Sequence, residues 1–170
     1  MIPGFETERL VFRGQTLADF ADSAAMWASP EVTRFIGGKP NTREESWARL
    51  CRNLGHWDLN GYGYWVVRER GGRFVGEVGF ADWKREIVPP LDAPEAGWVL
   101  APDQFGKGYG TEAVRGALAW AEKHFGHSRS VCIIDPGNEK SVRVAEKCGY
   151  ARHGEGLYKG HPAMIYRRSY

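Results

Sequence analysis

The chain has few of the features that mark specialised proteins. Its 170 residues hold three cysteines, Cys51, Cys132 and Cys148, spaced too widely for a C-x-x-C pair or a zinc signature. The odd count argues against a secreted disulfide framework. No apolar run approaches the about 20 residues needed to cross a bilayer. The opening Met1-Ile2-Pro3-Gly4-Phe5-Glu6 has no basic start followed by an apolar stretch, so no signal peptide is expected. Excess charge of one sign is also missing: the net charge is +2, with Lys and Arg scattered, which argues against nucleic acid or a membrane as partner. There is no internal repeat and no low-complexity linker. A composition of 42% hydrophobic and 26% charged residues is that of a folded chain, and the reading is one cytoplasmic domain over residues 1–170.

Glycine, by contrast, is abundant, with 22 residues. Three of them alternate in Gly106-Lys107-Gly108-Tyr109-Gly110-Thr111, between a strand-like run ending at Leu100-Ala101 and a helix-like run from Thr111 to Phe125. A loop so bare of side chains can turn several backbone N–H groups toward one point, where the helix adds its positive dipole end. The expectation is an anion cradle suited to the pyrophosphate of a nucleotide-like ligand. A Walker loop is excluded, because Lys107 is followed by Gly108 rather than Ser or Thr. The G-x-G-x-x-G fingerprint also fails by one residue of spacing at Thr111.

Around the cradle the periodicities predict strands at Leu10–Arg13, Tyr64–Arg68, Arg73–Phe80, Glu95–Ala101, Val131–Ile134, Ala151–Tyr158 and Met164–Arg168. Helices are predicted over Leu17–Trp27, Thr42–Leu54, Thr111–Phe125 and Asn138–Cys148. Gly71-Gly72 reads as a hairpin turn, and the proline-bearing segment Asp82–Pro94 as a loop. Phe74, Val78 and Phe80 are placed on one strand face and Glu77 on the other. Strands outnumber helices and the two alternate irregularly, so the fold class is mixed α/β around a mixed sheet.

The segments Glu95-Ala96-Gly97-Trp98-Val99-Leu100-Ala101-Pro102, Gly106 to Ala113, Asn138-Glu139-Lys140-Ser141 and Glu146-Lys147-Cys148-Gly149-Tyr150 resemble the GNAT superfamily of acyl-CoA N-acyltransferases. Together with Thr7-Glu8-Arg9-Leu10 and Arg13, they resemble its RimJ/RimL-like branch, which includes ribosomal-protein N-terminal acetyltransferases. The similarity spans nearly the whole chain with the motifs in order. One departure is Phe105, where the family often has Arg or Gln; Gln104 stands one residue early. Phe105 is expected to contribute its backbone N–H only.

The resemblance implies a central sheet of six or seven strands with about four helices, in which two neighbouring strands splay apart to admit a pantetheine arm. It implies acetyl-CoA as co-substrate, no metal, and a primary amine as acceptor, on a protein N-terminus or a small molecule. The diphosphate is expected on the N–H groups of Gly106, Lys107, Gly108, Tyr109, Gly110 and Thr111, and the pantetheine amides on the backbone of Val99 and Leu100. Asn138 reads as a helix N-cap bonding Ser141 N–H and, through the family, as a neighbour of the cofactor. Ser141 is implied to protonate the leaving thiolate. For the general base three readings stand: Glu95, Glu77 or a water chain, with Glu95 alternatively paired to an arginine such as Arg13 or Arg68. His124 and His127 lack a third ligand, so no metal site is expected. Some of the aromatic cluster Trp57, Tyr62, Tyr64 and Trp65 is expected to line an acceptor pocket. A catalytically silent acyl-CoA-binding module is the alternative function, and the sequence is compatible with a homodimer or a monomer.

Overall fold

A computed structural model describes all 170 residues. The strands are β1 (Phe5–Glu6), β2 (Leu10–Arg13), β3 (Tyr64–Glu69), β4 (Phe74–Ala81), β5 (Ile87–Val88), β6 (Glu95–Leu100), β7 (Arg129–Ile134), β8 (Ala151–Tyr158) and β9 (His161–Ser169). The helices are α1 (Phe20–Trp27), α2 (Pro30–Thr33), α3 (Arg43–Asn60), α4 (Tyr109–His124) and α5 (Glu139–Lys147). All nine strands form one sheet in the order β1-β2-β3-β4-β6-β7-β9-β8-β5. The seven expected strands are present; the two additions, β1 and β5, are two-residue strands at the sheet's outer edges, too short to leave a period in the sequence.

Helix boundaries moved for local reasons. Thr42 caps α3 through a capping box, its Oγ1 accepting from Glu45 N–H at 3.1 Å and its N–H donating to Glu45 Oε2 at 2.7 Å. The helix continues past the expected stop at Leu54 because Trp57 Nε1 donates to Tyr64 O at 3.0 Å, tying its last turn to β3; Gly61, left-handed at φ +73°, ends it. Pro30 does more than stop α1: it occupies the first turn of α2, where its missing N–H is no loss.

One strand changes phase. Val67 pairs with Gly76 while Arg68 pairs with Phe74, so Val75 is an extra, bulged residue. Phe74 therefore does not share the face of Val78 and Phe80 as its spacing suggested. It packs with Met26, Trp27, Val32, Val66, Val99 and Ala101 under α1 and α2, whereas Val75, Val78 and Phe80 join the main core. That main core lies between the sheet's other face and α4, whose Val114, Leu118, Ala121 and Phe125 form the expected apolar stripe.

The decisive feature lies mid-sheet. Every neighbouring pair is antiparallel except β6 and β7, which run parallel and share a single register pair, Glu95 with Val131. The expected splay is thus present: β6 keeps six register pairs with β4 on one side while leaving β7 after its first residue on the other. α4 follows β6 and α5 follows β7, so both helix N-termini open at the diverging end of this slot.

Candidate active site

The slot edge of β6 can be read from its hydrogen bonds. Ala101 N–H donates to Val75 O at 2.9 Å, and the alternation of an antiparallel ladder gives Val99 and Gly97 the same direction, toward β4. Val131 N–H donates to Pro94 O at 3.0 Å, so Ala96, Trp98 and Leu100 turn their main-chain groups toward β7. This corrects one expectation. Leu100 presents its backbone to the slot, but Val99 spends its own on β4, and Trp98 takes its place.

The glycine loop follows the end of β6. Gly106 and Gly108 take left-handed φ angles of +76° and +82°, and α4 begins at Tyr109, two residues before the expected Thr111. The first bond of α4 runs from Glu112 N–H to Gly108 O at 3.2 Å. The N–H groups of Gly106, Lys107, Gly108, Tyr109, Gly110 and Thr111 make no hydrogen bond within the chain. Phe105 is different: its N–H donates to Pro102 O at 3.2 Å and is not available. Nor does the Lys107 ammonium hang free, since it donates to Oε1 of the fully buried Gln104 at 3.1 Å.

Arg9, noted in sequence only as part of the family's opening, braces this loop. Its guanidinium donates to Lys107 O at 3.0 Å and to Glu112 Oε2 at 2.6 Å, and lies over the Tyr109 ring at 4.6 Å. Gly110 faces α5 from the first turn of α4, and a Cβ there would stand 3.4 Å from Val144 Cγ2, an ordinary contact. Across the slot, Asn138 caps α5, its Oδ1 accepting from Ser141 N–H at 3.2 Å. The half-buried Ser141 has a hydroxyl with no hydrogen bond inside the protein. Two helix N-termini, each a partial positive charge, therefore face one opening.

The carboxylates lie on the sheet's other face, beneath α1 and α3. Glu95 is bound by Arg85, with Nε donating to Oε2 at 2.5 Å and Nη2 to Oε1 at 2.8 Å. It is not bound by Arg13 or Arg68, which both pair with Asp19. Sequence spacing could not reveal Arg85, because the two-residue strand β5 folds the Asp82–Pro94 loop back against the sheet. Burial pushes the Glu95 carboxyl up from its ordinary value and the Arg85 charge pulls it down; burial prevails. Glu95 and Arg85 line a cavity of about 610 Å³ with Trp83, Tyr62 and Leu91.

Glu77 is enclosed instead. Its Oε1 accepts from Gln15 Nε2 at 2.7 Å and Ser23 Oγ at 2.5 Å, and its Oε2 from Trp27 Nε1 at 3.2 Å and Asn53 Nδ2 at 3.5 Å. Between the two acids stands Tyr64, whose hydroxyl reaches the backbone of Gly97; a Cβ on Gly97 would lie 1.9 Å from it. Burial, reinforced by the nearby Glu95 charge, holds the Tyr64 phenol well above its ordinary value. Trp57 and Trp65 pack edge to face in the main core, whereas Trp83 turns toward the cavity against His56, with ring centroids 4.5 Å apart.

No group of three or more His, Cys, Asp or Glu side chains is arranged to hold a metal ion. His124 Nδ1 lies 2.8 Å from Trp120 O within its own helix, and His127 packs against Phe125. No helix is long and apolar enough to cross a membrane.

This parted sheet with a glycine loop at a helix N-terminus is the architecture of an acyl-CoA N-acyltransferase, and the family comparison agrees. Residues 9–151 match the acetyltransferase (GNAT) domain family, and the chain belongs to that family. It is an acetyl-CoA-dependent N-acetyltransferase. It is similar to the uncharacterized protein YkkB of Bacillus subtilis (strain 168), with 31% identity over 84% of this chain and 81% of that protein. Among solved structures it resembles a GnaT-family acetyltransferase from Bordetella pertussis at TM-score 0.85 and 30% identity, covering 98% of this chain and 99% of that one. It also resembles an acetyltransferase from Agrobacterium tumefaciens str. C58 at TM-score 0.86 and 28% identity, covering 100% and 96%.

Glu77 already faces four donors, so Glu77→Gln turns an amide N–H₂ toward groups that themselves donate. The expected result is a loss of about 2–3 kcal/mol of stability, read by denaturant unfolding. A stable variant that loses only turnover would instead mark Glu77 as a proton acceptor.

Proposed function

We propose that the chain moves the acetyl group of acetyl-CoA directly to a primary amine within a ternary complex, and that the amine belongs to a small molecule. The observation that carries this reading is the slot itself: six unpartnered N–H groups and a parted strand edge that meet at one opening. The diphosphate of CoA sits on the N–H groups of Gly106 to Thr111, where the α4 dipole favours its charge. The pantetheine amides add to β6 at Trp98 and Leu100 as a further strand would, aiming the thioester toward the closed end near Glu95 and Val131.

The amine attacks the thioester carbon; an unpaired main-chain N–H of β6 stabilises the oxyanion, and the C–S bond breaks as Ser141 gives its proton to the thiolate. Glu95, on the cavity wall, accepts the proton of the amine, with Arg85 fixing the carboxylate's orientation. The closed environment of Glu77 disfavours it for this role. Direct transfer is also supported by the cysteines: Cys132 and Cys148 are buried with their thiols pushed up, and neither is an activated nucleophile.

Distant relatives of the fold support a small amine as acceptor. They include an aminoglycoside acetyltransferase in complex with coenzyme A (18% identity, TM-score 0.77) and a spermidine N-acetyltransferase from Vibrio cholerae in complex with CoA and spermine (16%, 0.73). A ribosomal-protein-S5-alanine acetyltransferase from Vibrio fischeri (22%, 0.76) shares the fold equally well and represents the protein N-terminus as acceptor. The cavity of about 610 Å³, walled by Trp83, Leu91 and Tyr62, has the size of a small-molecule site and favours the former.

The phosphate cradle is tested by Gly108→Val. Valine cannot hold the left-handed turn at φ +82°, so the fan of N–H groups scatters. CoA binding by calorimetry should weaken about 30-fold or more, the loss of two or three charge-assisted hydrogen bonds. Unchanged affinity in a folded variant counts against the cradle.

Ser141→Ala should lower kcat by about 10²-fold with little change in KM, since it removes a group that acts in the transition state. An unaltered kcat at saturating substrate removes Ser141 from the mechanism.

Arg85→Met leaves the burial of Glu95 unopposed, so its folded pKa rises further. A base works when ionised, so activity falls as pH drops through that pKa. The acid limb of kcat/KM should therefore move to higher pH by about one unit or more. A profile that stays in place separates Glu95 from the rate-determining proton.

A further inference from the structure

One guanidinium on α3 makes no hydrogen bond within the protein. Arg49 lies on α3, half-buried, with its guanidinium 3.7 Å from the Trp27 ring centre. Its Nε is buried without a partner, and none of its N–H groups hydrogen-bonds another group of the protein. One turn along the same helix, Asn53 is 2% exposed and its Oδ1 is likewise buried and unpartnered, although its Nδ2 is engaged by Gln15. A guanidinium whose Nε is enclosed and whose outer N–H groups reach solvent without a protein partner therefore stands on the helix face that also carries Asn53.

The surroundings fix how Arg49 is held. Glu77 accepts the Trp27 indole N–H, which polarises the ring toward the guanidinium stacked on it. The side chain is thus braced on its flat face, leaving its edge of N–H groups undirected. Burial, and after it the neighbouring Arg52 charge, bring the guanidinium below its ordinary value, so its charged form gains from an added negative partner. Arg52 lies over the Trp83 ring at 5.0 Å, and Arg85 is already engaged by Glu95. Glu77 is satisfied by neutral donors, and it shares a register pair with Val99, one residue from the slot edge at Trp98 and Leu100.

An arginine edge matches the two oxygens of a carboxylate in a pair of parallel bonds. One guanidinium edge, with two parallel donors, matches a single carboxylate. We propose that the acceptor is a small molecule carrying a carboxylate close to the amine that is acetylated, and that the Arg49 guanidinium binds this carboxylate. The inference rests on the acetyl-transfer reading above and deepens it. It separates this acceptor from polycations, which the guanidinium repels, and from protein N-termini, whose α-carboxyl is an amide.

The test supplies the wild-type protein with acetyl-CoA and a set of primary amines, following CoA release with a thiol reagent. The set pairs carboxylated amines with their counterparts lacking the charge: phenylalanine with phenethylamine and with its methyl ester, and β-alanine with propylamine. Spermine, kanamycin and short unblocked peptides complete it. Carboxylated members should lead, with kcat/KM about 30-fold or more above their partners, as expected for hydrogen bonds to a charged group. Arg49→Gln should bring each pair to within about threefold, mainly through KM, and Arg49→Lys should retain part of the preference because it keeps the charge and loses the fork. CoA affinity and thermal stability should stay near wild type in both.

Best acceptors that are neutral, polycationic or peptidic overturn the proposal, as does the absence of acetylation of any carboxylated member. An Arg49→Gln variant that loses equally on both members of a pair also overturns it, because that pattern belongs to a structural role. When CoA binds normally these outcomes sink the proposal alone; failure of the wild-type protein to bind CoA sinks the acetyl-transfer reading and the proposal with it.

Discussion

The parting of β6 from β7 governs the rest of the molecule. Two parallel strands in the middle of a sheet ordinarily stay paired along their length, because each unpaired N–H or C=O removed from water carries a penalty comparable to a lost hydrogen bond. Here pairing stops after Glu95 and Val131, while β6 remains joined to β4 and β7 to β9 through six register pairs each. The sheet does not fall into two because the main core beneath it is continuous, with Phe80 and Ala96 on one side of the gap and Cys132 and Ile134 on the other in a single cluster. The result is a strand edge held open inside a folded domain, which an extended chain of amides can complete.

The two helices that follow these strands add electrostatics to that opening. α4 and α5 begin beside one another, with Gly110 facing Val144. Their dipoles both point positive ends at the gap. The N-terminal segment contributes from a distance in sequence: Arg9 and Thr7 bind Glu112, so the first turn of α4 is anchored to the start of the chain. A flexible glycine loop thereby acquires a fixed shape without side chains of its own.

The opposite face of the sheet carries three buried acids, each met differently. Asp19 is held well below the usual carboxylate range: burial would raise it, and the bonds from Arg13 and Arg68 outweigh burial. Glu77 is satisfied by neutral donors. Glu95 has one guanidinium and a cavity wall. The first two arrangements tie α1 and α3 to the sheet and leave no lone pair conveniently free, whereas the third remains responsive to what enters the cavity. A buried acid next to a void is the more reactive arrangement, because its protonation follows its surroundings.

The element pattern was legible in the chain because it depends on local spacing: the strand runs, the amphipathic stripe Val114, Leu118, Ala121 and Phe125, the Gly71-Gly72 turn and the glycine cradle are each written over a few residues. The bulge at Val75 was not, since a single extra residue has no signature until its partner strand is in place. Partners separated along the chain were equally hidden. Glu95 could be recognised as an acid at the head of a strand, but not its pairing with Arg85, and Phe105 N–H is withdrawn by a 3₁₀ turn that its neighbours in sequence do not announce. Arg49 carries no mark in the sequence; only the packing of α1 against α3 sets Trp27 beneath it and encloses its Nε. Sequence by itself therefore determined the elements and the glycine loop, which follow from short-range periodicity and backbone freedom, and its ordered motifs carried the resemblance to the family. Tertiary structure alone decided which main-chain groups face the slot, which acids are spent and where the Arg49 guanidinium is stacked, because each of these depends on contacts between residues that the chain holds far apart.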